Sequence, residues 1–269
     1  MKKTIFSEAN TIYRKHWWKS LILDTLFLAV TFLFFIYARA KIKAYFALIS
    51  THAAQVSAVE AAIAQNSASG MGQMQELLSI LSPIAKQLSF FTFFIVPLVI
   101  FALWCLFQAP NYTLIAKNKL LSFTHYIRFI VFTAPFYIAG LFLLNEIFDI
   151  VYQAMFSALT DWRFYVWTFL LLLSCYLLQA CYAFTLNQKY KDIVKSALCV
   201  LKKPHKMAPA FALYAFLWFL VMVSMINFYL NWVGSGVSST IIAALPLLGI
   251  LALMSWARVV FTLKAMKCE

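Results

Sequence analysis

Six stretches of this 269-residue chain are apolar for long enough to cross a bilayer, and no other feature limits the possible fold so tightly. They cover roughly residues 21–38, 88–109, 129–148, 164–186, 208–230 and 237–263. Each is uniformly apolar rather than alternating, so each reads as a helix and not as a barrel strand. The sequence therefore predicts an all-α integral membrane protein, one six-span domain over residues 1–269. Composition agrees: 64% of residues are apolar and 12% are charged, about half the charged share of a soluble domain. So few charges cannot cover a water-facing surface, and most of the outside must face lipid.

The net charge of +13 would suit a nucleic-acid binder only if the basic residues shared a soluble face. They lie instead in short groups between the apolar runs, and no nucleic-acid partner is expected. With the N-terminus inside, six spans return the C-terminus inside. The inner segments then hold 17 basic residues against Glu8, Asp24, Asp192 and Glu269. The outer segments hold Arg39, Lys41, Lys43, Lys86 and Arg163 against five acidic residues. The whole excess falls on one side, as expected for a multi-pass protein of the cell membrane with both termini cytoplasmic. Trp17 and Trp18, Trp162 and Trp167, and Trp232 fall at span ends, where aromatic belts sit. Residues 21–36 are long for a signal-peptide core, and their removal would leave ends on opposite sides, so they read as a span.

The even-numbered spans end alike, in Tyr112-Thr113-Leu114, Phe184-Thr185-Leu186 and Phe261-Thr262-Leu263, each followed by lysine. This pattern suggests three helical-hairpin repeats, related about an axis along the membrane normal. The first outer connection, residues 39–87, is by far the longest. Val56, Val59 and Ile63 recur at helical spacing, as do Met74, Leu78, Leu81, Ala85 and Leu88, with a turn expected at residues 66–70. It reads as an extracytoplasmic helical hairpin that caps the bundle, or as a docking surface for a protein partner.

Chemistry-bearing residues are sparse. His16, His52, His125 and His205 are not at metal-ligand spacing, and neither are the cysteines. No hydrolase, protease or phosphate-loop motif occurs. Catalytic residues, cofactors and metal ligands are accordingly expected to be none. Ionisable residues inside a bilayer are costly and usually have a reason. Asp24 in the first span and Arg258 in the sixth fall at similar depth in the inner half, with Gln108 and Asn111 in the second and Gln179 in the fourth. They form either a polar vestibule open to the cytoplasm or a set of interhelical bonds, the latter being the simpler reading. Pro97, Pro135 and Pro246 interrupt three spans and permit kinks.

Residues 189–206 carry the most legible surface signal. Ile193, Val194, Ala197, Leu198 and Leu201 recur at helical spacing with Lys191, Lys195 and Lys202 beside them, and Lys203 and Lys206 follow. This describes a basic interfacial helix whose lysines meet anionic headgroups on the cytoplasmic leaflet. Residues 10–19 read similarly. The expected function is a non-enzymatic scaffold, assembly or lipid-interacting membrane component. A small-solute transporter or channel ranks second and an intramembrane enzyme third.

Overall fold

A computed structural model describes residues 5–64, 68–117, 123–157, 162–185, 188, 190–202, 204–234 and 237–267. Among them every regular element is a helix: α1 (Ile5–Ser50), α2 (Ala53–Ala64), α3 (Ala68–Phe90), a π-helical turn (Phe91–Ile95), α4 (Val96–Lys117), α5 (Phe123–Ser157), α6 (Trp162–Phe184), α7 (Tyr190–Leu201), α8 (Pro204–Gly234) and α9 (Val237–Met266). Among the described residues six helical stretches are long and apolar enough to cross a membrane: Ile5–Ser50, Met71–Ile115, Phe123–Gln153, Trp162–Phe184, Met207–Phe228 and Pro246–Met266. The chain is a multi-pass membrane protein by this measure.

The helices overrun the apolar runs. With 46 residues, α1 is about 69 Å long at 1.5 Å per residue, more than twice the ~30 Å hydrocarbon core. Residues 10–19 are therefore not a separate interfacial helix. They continue into the first span without a break, because hydrogen bonding within a helix does not stop where the apolar side chains do.

The chain divides into two compact units, Leu28–Leu103 and the remainder, Met1–Phe27 with Trp104–Glu269. In the smaller unit α2 packs on α3. Their facing side chains are Gln55, Ala58 and Val59 on α2 with Gln73, Glu76, Leu77 and Ile80 on α3, around a groove of about 250 Å³. The apolar seam expected from Met74 and Leu78 is not the one used, since both are exposed. The small Ala58 on α2 leaves room beside the polar Gln73 and Glu76. Residues 68–70, expected in a turn, form the first turn of α3, where small polar residues cost a helix least; residues 65–67 lie outside the described residues. Further on, Pro97 follows the π-helical turn, in which Val96 N–H donates to the Phe91 carbonyl. A proline ring collides with the carbonyl four residues back in a regular α-helix, and a widened turn relieves that collision.

In the larger unit α5 packs on α6, α8 on α9, and α6 on both α7 and α9. The central element is α9: 56% of its most apolar window is buried, against 28% or less in every other candidate span. Residues 257–263 are all buried, so nearly two turns are enclosed on every side. Residues 108–115 of α4 and 179–185 at the end of α6 are enclosed in the same way. These segments carry Tyr112-Thr113-Leu114, Phe184-Thr185 and Phe261-Thr262-Leu263, while Leu186 lies outside the described residues. The helices that carry them touch one another: the Tyr112 ring lies 4.9 Å from Tyr182, Tyr176 lies 6.1 Å from Phe261, and the Arg258 guanidinium lies 5.8 Å from the Tyr112 ring. Large apolar side chains elsewhere point outward, including Ile138, Phe148, Phe169 and Phe219, as a lipid-facing surface requires.

Candidate functional site

Asp24 lies on α1 and is 1% exposed. An isolated carboxylate at that depth would be very costly, and four donors converge on it. Its Oδ1 accepts from Arg258 Nη2 at 2.9 Å, Asn111 Nδ2 at 2.9 Å and Gln108 Nε2 at 3.2 Å. Its Oδ2 accepts from Ser255 Oγ at 2.7 Å. Helical spacing explains the convergence: Gln108 and Asn111 are three residues apart on α4, as are Ser255 and Arg258 on α9, so each pair shares a face. The ion pair carries no net charge, which is what allows it to sit inside the bundle.

The network extends through aromatic residues. Tyr112, next to Asn111, lies against the Arg258 guanidinium and donates to Gln179 Oε1 on α6. Beside it the Tyr182 ring stacks on Phe129 at 4.1 Å. The Tyr182 hydroxyl accepts from Trp104 Nε1 at 3.2 Å and bonds Thr133 Oγ1 at 2.8 Å. His125 of α5 donates from Nε2 to the Ala109 carbonyl at 3.2 Å, since a carbonyl only accepts. Arg128 donates to the Thr185 and Gln188 carbonyls, tying down the end of α6 where carbonyls lack helical partners.

All five residues of the inner polar cluster are thus gathered: Asp24, Gln108, Asn111 and Arg258 bond directly, and Gln179 joins through Tyr112. The members that sequence reasoning did not single out are Ser255 and Tyr112. Ser255 carried a signal, standing one helical turn before Arg258. In chemical terms both Asp24 oxygens are bonded, while Gln108 Oε1, Asn111 Oδ1 and Arg258 Nε and Nη1 are buried without a hydrogen-bond partner among the described residues. Among the described residues no group of three or more His, Cys, Asp or Glu side chains could hold a metal ion.

The basic helix α7 is two-faced. Ile193, Ala197 and Val200 are 2% exposed or less and pack into a core with Phe132, Ala180, Phe184, Met207 and Phe261. Tyr176 Oη adds a bond to the Val200 carbonyl at 3.4 Å. The opposite face presents Val194 and Leu198, each 48% exposed, with Lys195 and Lys202 exposed beside them. The apolar residues therefore do not form one lipid-facing stripe. Among the described side chains, Ile193, Ala197 and Val200 bind the bundle while Val194 and Leu198 look outward. Lys203 lies outside the described residues, and so do the side chains of Lys191, Leu201 and Lys206. Residues 10–19 pack partly on α9, with Trp256 Nε1 donating to Asn10 Oδ1 at 2.8 Å, while Trp17 and Trp18 remain exposed.

Comparison with protein-family models, curated proteins and solved structures finds no match to this chain.

Proposed function

We propose that this chain is a non-enzymatic six-span scaffold, assembly or lipid-interacting component of the cell membrane, with both termini cytoplasmic. The two-faced α7 carries this reading. Its inner face is locked to the bundle, so its outer face is held at a fixed place and angle. An exposed apolar pair at i and i+4 flanked by lysines suits the boundary between acyl chains and anionic headgroups. Each such lysine contributes about 1 kcal/mol near an anionic surface. The closed bonding of Asp24 supports an architectural role for the inner cluster.

The orientation draws support from the one-sided placement of basic residues and from the meeting of the α4, α6 and α9 ends, which suits three spans running in the same direction. The burial of Tyr112-Thr113-Leu114, Phe184-Thr185 and Phe261-Thr262-Leu263 alike supports a threefold hairpin repeat. A protein partner for residues 39–87 draws support from Met71, Met74 and Leu78, three large apolar side chains exposed on α3.

Purified protein in nanodiscs of neutral lipid and of 30% phosphatidylglycerol (about that fraction suffices to charge the surface) tests the lipid reading. Anionic lipid should raise the unfolding temperature, and Lys195→Gln with Lys202→Gln should abolish most of that rise. An unchanged rise in the double variant would remove α7 as the lipid contact. The runner-up, a small-solute transporter, is favoured by the gathering of the five polar residues at one depth. Downhill solute flux in reconstituted vesicles that is lost on Asp24→Asn would favour it over the architectural reading.

A further inference from the structure

Beside the Asp24 network is a small crevice bounded by Tyr13, His16, Trp17 and Ser20 on α1, Asn111 on α4 and Ser255 on α9. Its volume is about 10 Å³, close to the one probe sphere a single water needs. Trp17 is 45% exposed and Asn111 is 0% exposed, so the crevice leads from the surface to the buried network.

Asn111 decides what the crevice can take. Its Nδ2 donates to Asp24 Oδ1, which fixes the amide orientation, because the flipped form would set two oxygens against each other. Its Oδ1 is then buried with no hydrogen-bond partner among the described residues. Leaving such an acceptor unmet costs about 1–3 kcal/mol. Two further wall groups offer lone pairs: Ser255 Oγ spends its proton on Asp24 Oδ2, and Tyr13 Oη spends its own on the Ala252 carbonyl at 3.0 Å. Ser20 and His16, also on the walls, can donate. A molecule that both donates and accepts fits this lining, and Asn111 Oδ1 requires its donor.

We infer that this crevice is a specific site for one water molecule, which donates to Asn111 Oδ1 and to Ser255 Oγ or Tyr13 Oη. The water stands one hydrogen bond from two of the four donors on Asp24. The inference is independent of lipid binding by α7.

A density map of the protein in nanodiscs, at a resolution that shows other ordered waters, tests it. A peak within hydrogen-bonding distance of Asn111 Oδ1 and Ser255 Oγ is expected. Proton exchange of the ¹⁵N-labelled Asn111 side-chain amide gives a second readout. Ser20→Val fills the crevice without touching an Asp24 donor and should slow that exchange about tenfold, whereas Ser20→Ala keeps the space and should match the native rate. The absence of a peak, equal exchange in Ser20→Val and native protein, or a peak whose occupancy follows sodium concentration would each overturn the inference. The native map decides the question alone if Ser20→Val fails to fold.

Discussion

Arg258 and Asp24 come from opposite ends of the chain, 234 residues apart, and meet at 2.9 Å with both side chains 1% exposed. The pair fastens α1 to α9, the most enclosed helix. Removing one partner strands the other charge where solvent cannot reach it, a loss of about 3–5 kcal/mol. Asp24→Leu and Arg258→Met should each lower the unfolding free energy in detergent by that order. The double variant should be more stable than the worse of the two, because no charge is left unpaired. Strictly additive losses would mean that the two side chains are not coupled in the folded protein.

The two faces of α7 predict opposite behaviour. Ile193→Ala removes a fully buried side chain from the core shared with Phe261 and Met207 and should cost about 2–5 kcal/mol. Leu198→Ala, on the outward face, should change stability in neutral lipid by about 0.5 kcal/mol or less while reducing the rise in unfolding temperature that anionic lipid gives. Thermal unfolding of the two variants in neutral and anionic nanodiscs separates these effects. The account fails here if Leu198→Ala is the more destabilising change.

Tyr112 joins the Asp24–Arg258 pair to Gln179. Tyr112→Phe keeps the ring beside the guanidinium but leaves Gln179 Oε1 without its donor, a cost of about 1–3 kcal/mol. Tyr165→Phe, at a side chain 65% exposed, should be close to neutral. Denaturation of both variants in the same detergent makes the comparison. Equal stability of the two would mean that the Tyr112 hydroxyl carries no weight.

The helical class and the six spans were legible because hydrocarbon imposes a length and an apolar composition that few other folds share. The inner cluster was legible because Asp24, Gln108, Asn111, Gln179 and Arg258 stand out against their apolar surroundings and lie at matching depth. Their bonding pattern was not, since depth leaves the angle around each helix open. Ser255 and Tyr112 went unnoticed because serine and tyrosine are common in membrane helices and draw attention only beside a charge. The division of α7 into inward Ile193, Ala197 and Val200 and outward Val194 and Leu198 was only half legible. The i, i+4, i+7 spacing of the inward three is helical, but each has an apolar neighbour beside it, and the sequence does not say which edge of the stripe meets protein. The start of α3 was missed because Ala68, Ser69 and Gly70 read as a turn, and the unbroken length of α1 because its polar residues 10–19 read as a separate helix.

The proposed orientation of the chain underlies both the proposed lipid contact and the proposed outer position of residues 39–87, and side-specific labelling tests it most directly. In a variant with all five cysteines replaced, single cysteines at Lys195 on α7 and Met71 on α3 would be treated with an impermeant maleimide in intact cells and in inverted vesicles. The account predicts that Met71→Cys is labelled only in intact cells and Lys195→Cys only in inverted vesicles. Labelling of Lys195→Cys from outside intact cells would contradict it.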